Sequence, residues 1–286
     1  MVTLPFLALF PFLLTGLLAM QASSRVVLSP PMAKWKAEIE ASGKTTVVLA
    51  RVFTDVGRNE LVLPGDAEFR PFLRTLLESE PFVAQFVQTH AINVNANTGL
   101  RPISVVLLNM ARAADWEGQE DSVIAHEFGH IWLHTRGYQA PHTAHGLSCE
   151  AVHAGDVVQH ILIREQMRIR HIDFLPFWIR TLEVALHELN AKSEEHLQQT
   201  DPCQRISRLA LWVDVVLSLL DENWSRRPLL LAAFQKSFPE LEQPAMQIVT
   251  QIRGRNLHDR LTYQRVLRDV LFEIHTAAGP GSFRKP

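Results

Sequence analysis

A surplus of charge of either sign is missing from this chain. Lysine and arginine number 28 against 30 aspartates and glutamates, a formal net charge of −2. With so little basic excess there is no electrostatic reason to expect nucleic acid as a partner. Cysteine is scarce as well. Cys149 and Cys203 are the only two, compatible with one disulfide in an oxidising compartment or equally with two buried thiols. No segment repeats and none is of low complexity. Across 286 residues, 47% apolar and 20% charged, that leaves material for one large domain or two small ones with a real core.

Charged side chains are also absent from Val2 to Ala22, VTLPFLALFPFLLTGLLAMQA, and no Lys or Arg precedes the run. It is long for a signal peptide and short to adequate for a membrane span, with Pro5 and Pro11 interrupting it. Ala19 and Ala22 stand where a signal peptidase would cut. The readings are a cleaved signal peptide, an uncleaved anchor, or a reverse anchor that keeps the C-terminal part cytosolic because the first flanking charge is Arg25. A hydrophobic helix docked on a soluble domain is the plainer alternative. The expectation is export, periplasmic or secreted, or membrane association through residues 1–22.

The chemistry concentrates in Asp121 to Gly137, DSVIAHEFGHIWLHTRG. Residues four apart on a helix lie one turn above each other, so His126 and His130 point the same way and can share one metal ion. Glu127 falls beside them, able to take a proton from a water on the metal without being a ligand itself. Val123, Ile124, Phe128, Ile131, Trp132 and Leu133 make the flanks apolar, with Asp121 or Ser122 as a start and Gly137 as a C-cap. The bland alternative is a core helix with hydrogen-bonded histidines, which would bury two imidazoles and a carboxylate at considerable cost. His187 to Ala191 lacks the closing histidine and reads as ordinary surface helix.

A catalytic zinc usually takes three protein ligands and leaves the fourth position to water. His134, eight residues past His126, lies about 12 Å along the axis and cannot share that ion. It reads as an end-of-helix histidine. Glu150 fits better, 150 − 130 = 20 residues after the second histidine and at the start of the next amphipathic helix. His142, His145 and Glu165 are rivals, and Cys149 fits less well than its neighbour Glu150.

These residues resemble the gluzincin group of zinc metallopeptidases, in which HExxH on one helix is completed by a glutamate on the following one. The spacing is like that of thermolysin-type enzymes. The brevity of HEFGHIWLH, a loop, and CEAVHAGDVVQHIL looks like the ImmA/IrrE-like minimal gluzincins. The metzincin pattern would need glycine and histidine where this chain has Leu133 and Arg136. The resemblance spans about Asp121 to Glu165. Thermolysin-like enzymes carry an aspartate four residues past the glutamate, and here that position is Ala154; Asp156 lies about 120° around the helix from Glu150. His153, close to the Glu150 face, could line the site.

The resemblance implies Zn²⁺ held by His126, His130 and Glu150, with Glu127 as the base that activates a water for attack on a peptide bond. Tyr138, His145 and His153 are candidates for stabilising the oxyanion, and Asp156 for lining the site. The partner expected is a peptide or protein substrate. The competing reading is a non-catalytic protein of the same fold whose helical C-terminal half binds a protein partner.

The architecture expected is α+β and mainly helical, a small mixed sheet packed on the motif helix followed by an all-helical half. Met32 to Ala41 reads as helix, Thr45 to Phe53 as strand, Phe69 to Thr89 as helix, Asn93 to Gly99 as loop, and Pro102 to Met110 as a buried or edge strand along which a peptide could pair. Helices are expected from Ser148 to His171, Leu175 to Gln199, Cys203 to Glu222, Pro228 to Phe238, Pro244 to Arg253 and Leu261 to His275. Leu209, Leu211, Trp212, Val215, Val216, Leu219 and Leu220 are core-facing by spacing. The expected divisions are 1–22, 30–171 as metal-binding domain, 172–276 as helical region, and a disordered tail 277–286.

Overall fold

β-Branched and leucine-rich runs form the sheet. In a computed structural model, strands β1 (Thr46–Asp55), β2 (Glu60–Val62), β3 (Ala91–Asn97) and β4 (Pro102–Asn109) form one mixed sheet in the order β2-β1-β4-β3. The described residues are 26–55, 60–62, 78, 82–83, 86–97, 102–139, 148–191 and 201–278. They gather into two units, one ending at Ile131 and the other beginning at Trp132. The class is α+β and mainly helical.

In the first unit β4 runs parallel to β1 and antiparallel to β3. Every residue of β4 after Pro102 is buried, so it is a central strand, and β3 is the outer one on that side among the described residues. Alternation then sorts the side chains. Ala50, Val52, Ile103, Val105 and Leu107 meet Phe86 on one face, with Val48, Ile92 and Val94 packed against them. The opposite face carries Arg51 and Asn93. Helix α1 (Pro30–Glu40) has Pro in its first turn, where no helical N–H is lost, and fully buries Met32, Trp35 and Ile39 at spacings of three and four.

Asn93 to Gly99 is thus corrected from loop to strand as far as Asn97. The Asn residues that suggested a loop alternate with Ile92, Val94 and Ala96, and two of their amides are used as strand side chains: Asn93 Nδ2 donates to Glu127, and Asn95 Oδ1 accepts from Ser104 at 2.8 Å. Most of Phe69 to Thr89 lies outside the described residues. So does Val2 to Ala22. Among the described residues no helix is long and apolar enough to cross a membrane.

Helix α2 (Glu120–Thr135) carries the histidine motif and is described below. The second unit continues with α3 (Cys149–Ile169), α4 (Leu175–Ala191), α5 (Pro202–Ser218), α6 (Arg227–Ser237), α7 (Glu242–Ile252) and α8 (Arg260–Ala278). These follow the periodicity read from the sequence within a few residues at most ends. Ala277 and Ala278 close α8, and the remaining tail lies outside the described residues. Leu220 departs from expectation and is exposed, because α5 stops at Ser218 and Leu219 turns extended, so helical spacing no longer applies beyond it.

Cys149 and Cys203 form a disulfide joining the first turns of α3 and α5, 54 residues apart. Closing a loop of that length restricts the unfolded chain, and Cys203→Ser is expected to remove about 2–4 kcal/mol of stability. A lower urea midpoint for the variant than for the oxidised wild type would register it; equal midpoints would contradict it.

Tyr263 on α8 is fully buried, its hydroxyl accepting from Gln159 Nε2 at 3.0 Å and donating to the Gln139 carbonyl at 3.3 Å. Burial pushes its pKa up to about 12, against the opposing hydrogen bond from Gln159. The neutral phenol therefore contributes stability in full below its unfolded pKa near 10, and that contribution is lost as pH rises toward 12. Tyr263→Phe should cost about 1 kcal/mol near neutrality and destabilise less steeply than wild type between about pH 10 and 12. Urea midpoints across that range test the sign; parallel curves would refute it.

Candidate metal centre

Helix α2 forms where charge and apolar spacing agree. Glu120 and Asp121 occupy its first turn, where the positive end of the helix favours carboxylates, and the Gln119 carbonyl accepts from the N–H groups of Ser122 and Val123. Its start lies one or two residues ahead of Asp121 or Ser122. It stops at Gly137, whose φ of +82° places it in the left-handed region, with Tyr138 N–H donating to the Leu133 carbonyl at 3.0 Å.

Val123, Ile124, Phe128 and Ile131 are buried, and Phe128 meets Trp35 edge-on at 6.3 Å between centroids. Two polar side chains from the sheet hold the helix: Arg51 pairs with Glu120 at 2.7 Å, and Asn93 Nδ2 donates to Glu127 Oε2 at 2.8 Å. The motif is thereby fixed at its start and at its acid.

The Nε2 atoms of His126 and His130 are 3.2 Å apart. Two imidazoles bound tetrahedrally at about 2.0–2.1 Å from zinc would have nitrogens roughly 3.3–3.4 Å apart. The pair is thus a candidate bidentate ligand in a geometry that fits the ion. Glu127 beside it is buried, and that burial pushes its carboxyl above the usual range, while the nearby His130 and the Asn93 hydrogen bond pull the other way. His134 is exposed in the last turn, in agreement with its reading as an end-of-helix residue.

The second unit holds the other candidates. Ser148 Oγ accepts from Ala151 N at 3.2 Å and caps α3. Glu150 follows in the first turn, buried. Further along, His153, Asp156 and His160 are spaced by three and four, so they share a face. Asp156 lies between the two rings, 3.8 Å from His153 Nδ1 and 3.9 Å from His160 Nε2. The three line a cavity of about 150 Å³ together with Ser207 and Asp214. Burial holds the His153 imidazole below its usual pKa.

Other expected residues have different engagements. The Tyr138 hydroxyl donates to the His258 carbonyl at 2.6 Å. Glu165, one rival third ligand, lies 2.9 Å from His258 Nε2. His142 and His145 lie outside the described residues. His187 is exposed on α4, and the adjacent Glu188 pairs with Arg208 at 2.6 Å.

One residue with a place in this chemistry was missed in the sequence: Asn93, hidden by the polar composition of its strand; alternation with Ile92 and Val94 was the signal. No family model, curated protein or solved structure matches this chain.

Proposed function

We propose that this chain is a zinc-dependent metallopeptidase. The carrying observation is the 3.2 Å separation of the His126 and His130 Nε2 atoms, beside a buried carboxylate that Asn93 holds at 2.8 Å. A structural histidine pair would need no such acid next to it, and burying one is costly.

His126 and His130 supply two of the protein ligands; a catalytic zinc takes a third and leaves its fourth position to water.

When bound, zinc lowers the pKa of a coordinated water to about 7 and polarises a substrate carbonyl. The chain's own residues supply the rest. Glu127 accepts a proton and passes it to the leaving amine, with Asn93 fixing the orientation of its carboxylate. An extended peptide pairs along β3, which bears Asn93 and is the outer strand among the described residues, in place of the Pro102 to Met110 strand that the sequence suggested. The disulfide supports an oxidising, exported location.

The test is cleavage of a mixed peptide library by the zinc-loaded full chain, before and after chelation. Cleavage abolished by chelation and restored by zinc is the expected result. Zinc-loaded chain that cleaves nothing would overturn the reading in favour of a non-catalytic protein.

A further inference from the structure

A second group of metal-ligating side chains lies wholly within the second unit. Sγ of Cys149, Sγ of Cys203 and a ring nitrogen of His153 all lie within 4.8 Å of one another. The cysteines are oxidised in the structure, so their sulfurs are not thiolates and cannot ligate as they stand. Each stands in the first turn of a helix, Cys149 first in the 21-residue α3 and Cys203 second in the 17-residue α5, where Asp201 Oδ2 accepts from the Cys203 N–H at 3.1 Å. Cys203 is exposed, so a reductant can reach the bond. His153 sits one turn after Cys149 on α3, on the same side of the helix, with Asp156 Oδ2 3.8 Å from its Nδ1.

We propose that the disulfide masks a Cys2His zinc site, formed by Cys149, Cys203 and His153 when the bond is reduced. A small thiol supplies the two electrons. Two R–SH are oxidised to R–S–S–R, the Cys149–Cys203 bond is cleaved, and each sulfur takes up one proton. Zinc binding then displaces those two protons, and two thiolates plus a neutral imidazole balance the charge of the ion. The cross-link between α3 and α5 is kept in both states, as a covalent bond in oxidising surroundings and through the metal in reducing ones. A site of this kind is separate from the His126–His130 centre and does not rest on the peptidase reading.

Cobalt is the probe that separates the two sites, because a thiolate–cobalt charge-transfer band in the near ultraviolet arises only with sulfur ligands. The full chain is titrated with Co²⁺ without oxygen, either oxidised or after reduction with a phosphine and its removal. The band should appear only in the reduced chain, be lost in Cys203→Ser, and require at least about tenfold more cobalt in His153→Ala. A reduced chain with no thiolate band, or a band indifferent to His153→Ala, overturns the proposal. Alkylation of the reduced thiols, read by mass, covers the case in which reduction loosens the helices. Zinc should slow it at least about tenfold in the wild type and much less in His153→Ala. Equal alkylation rates with and without zinc overturn the proposal as well.

Discussion

Glu127→Gln is expected to lower kcat for peptide hydrolysis by about 10²–10⁴-fold with zinc content unchanged. Glutamine keeps the shape of the side chain, and its amide oxygen can still accept the hydrogen bond that Asn93 Nδ2 gives Glu127 at 2.8 Å. What it loses is the ability to take a proton. Because Glu127 is buried at 7% exposure with its carboxyl pushed upward by desolvation, the neutral isostere should hold stability or raise it. A drop in activity with a constant urea midpoint and one metal bound would therefore isolate proton transfer from folding and from ligation. Activity within a few-fold of wild type would mean that another group is the base.

Asp214→Ala is expected to cost about 3–5 kcal/mol of stability, enough to leave the second unit largely unfolded at modest urea. Asp214 and Arg164 are nearly fully buried. They form a two-pronged pair in which Arg164 Nη1 donates to one carboxylate oxygen at 3.0 Å and Nη2 to the other. Ser218 Oγ accepts a further bond from the guanidinium at 2.9 Å, and the Trp178 ring lies 4.4 Å from its central carbon. Removing the acid strands a desolvated cation beneath that ring. Replacing both partners by apolar residues of similar volume, Arg164→Met with Asp214→Leu, should cost much less than the single change, since neither charge is left unpaired. Chemical denaturation of the two variants decides it. A double variant as unstable as the single one would show that shape, and not charge pairing, holds α3 to α5.

The helical half was legible in the sequence because its signals were local. Pro202, Pro228 and Pro244 stand in the first turns of their helices, and apolar residues recur at helical spacing. Leu220 shows the limit: periodicity runs on past the point where the backbone turns extended at Leu219, since spacing alone carries no stop signal there. The sheet was half legible. Val, Ile and Leu runs marked β1 and β4, but β3 is built from Asn93, Asn95 and Asn97 alternating with modest apolar residues. Its polar face is explained only by the acceptor and donor it meets across the chain, Glu127 and Ser104.

For the site, His126, Glu127 and His130 could be read from a single helical turn, because four-residue spacing dictates their geometry. The cysteines could be counted in the sequence, and their pairing is a tertiary fact. A third metal ligand is a tertiary matter as well; Glu150 was favoured by analogy with a known spacing.

Zinc per chain, measured on the full-length protein without reductant so that Cys149 and Cys203 stay paired, is the most direct test of the centre. Wild type should hold about one zinc, and His126→Ala should lose most of it, as expected when a protein ligand is removed. Zinc kept in His126→Ala would contradict the reading of His126 and His130 as its ligands. No zinc in the wild type would contradict the metal centre altogether.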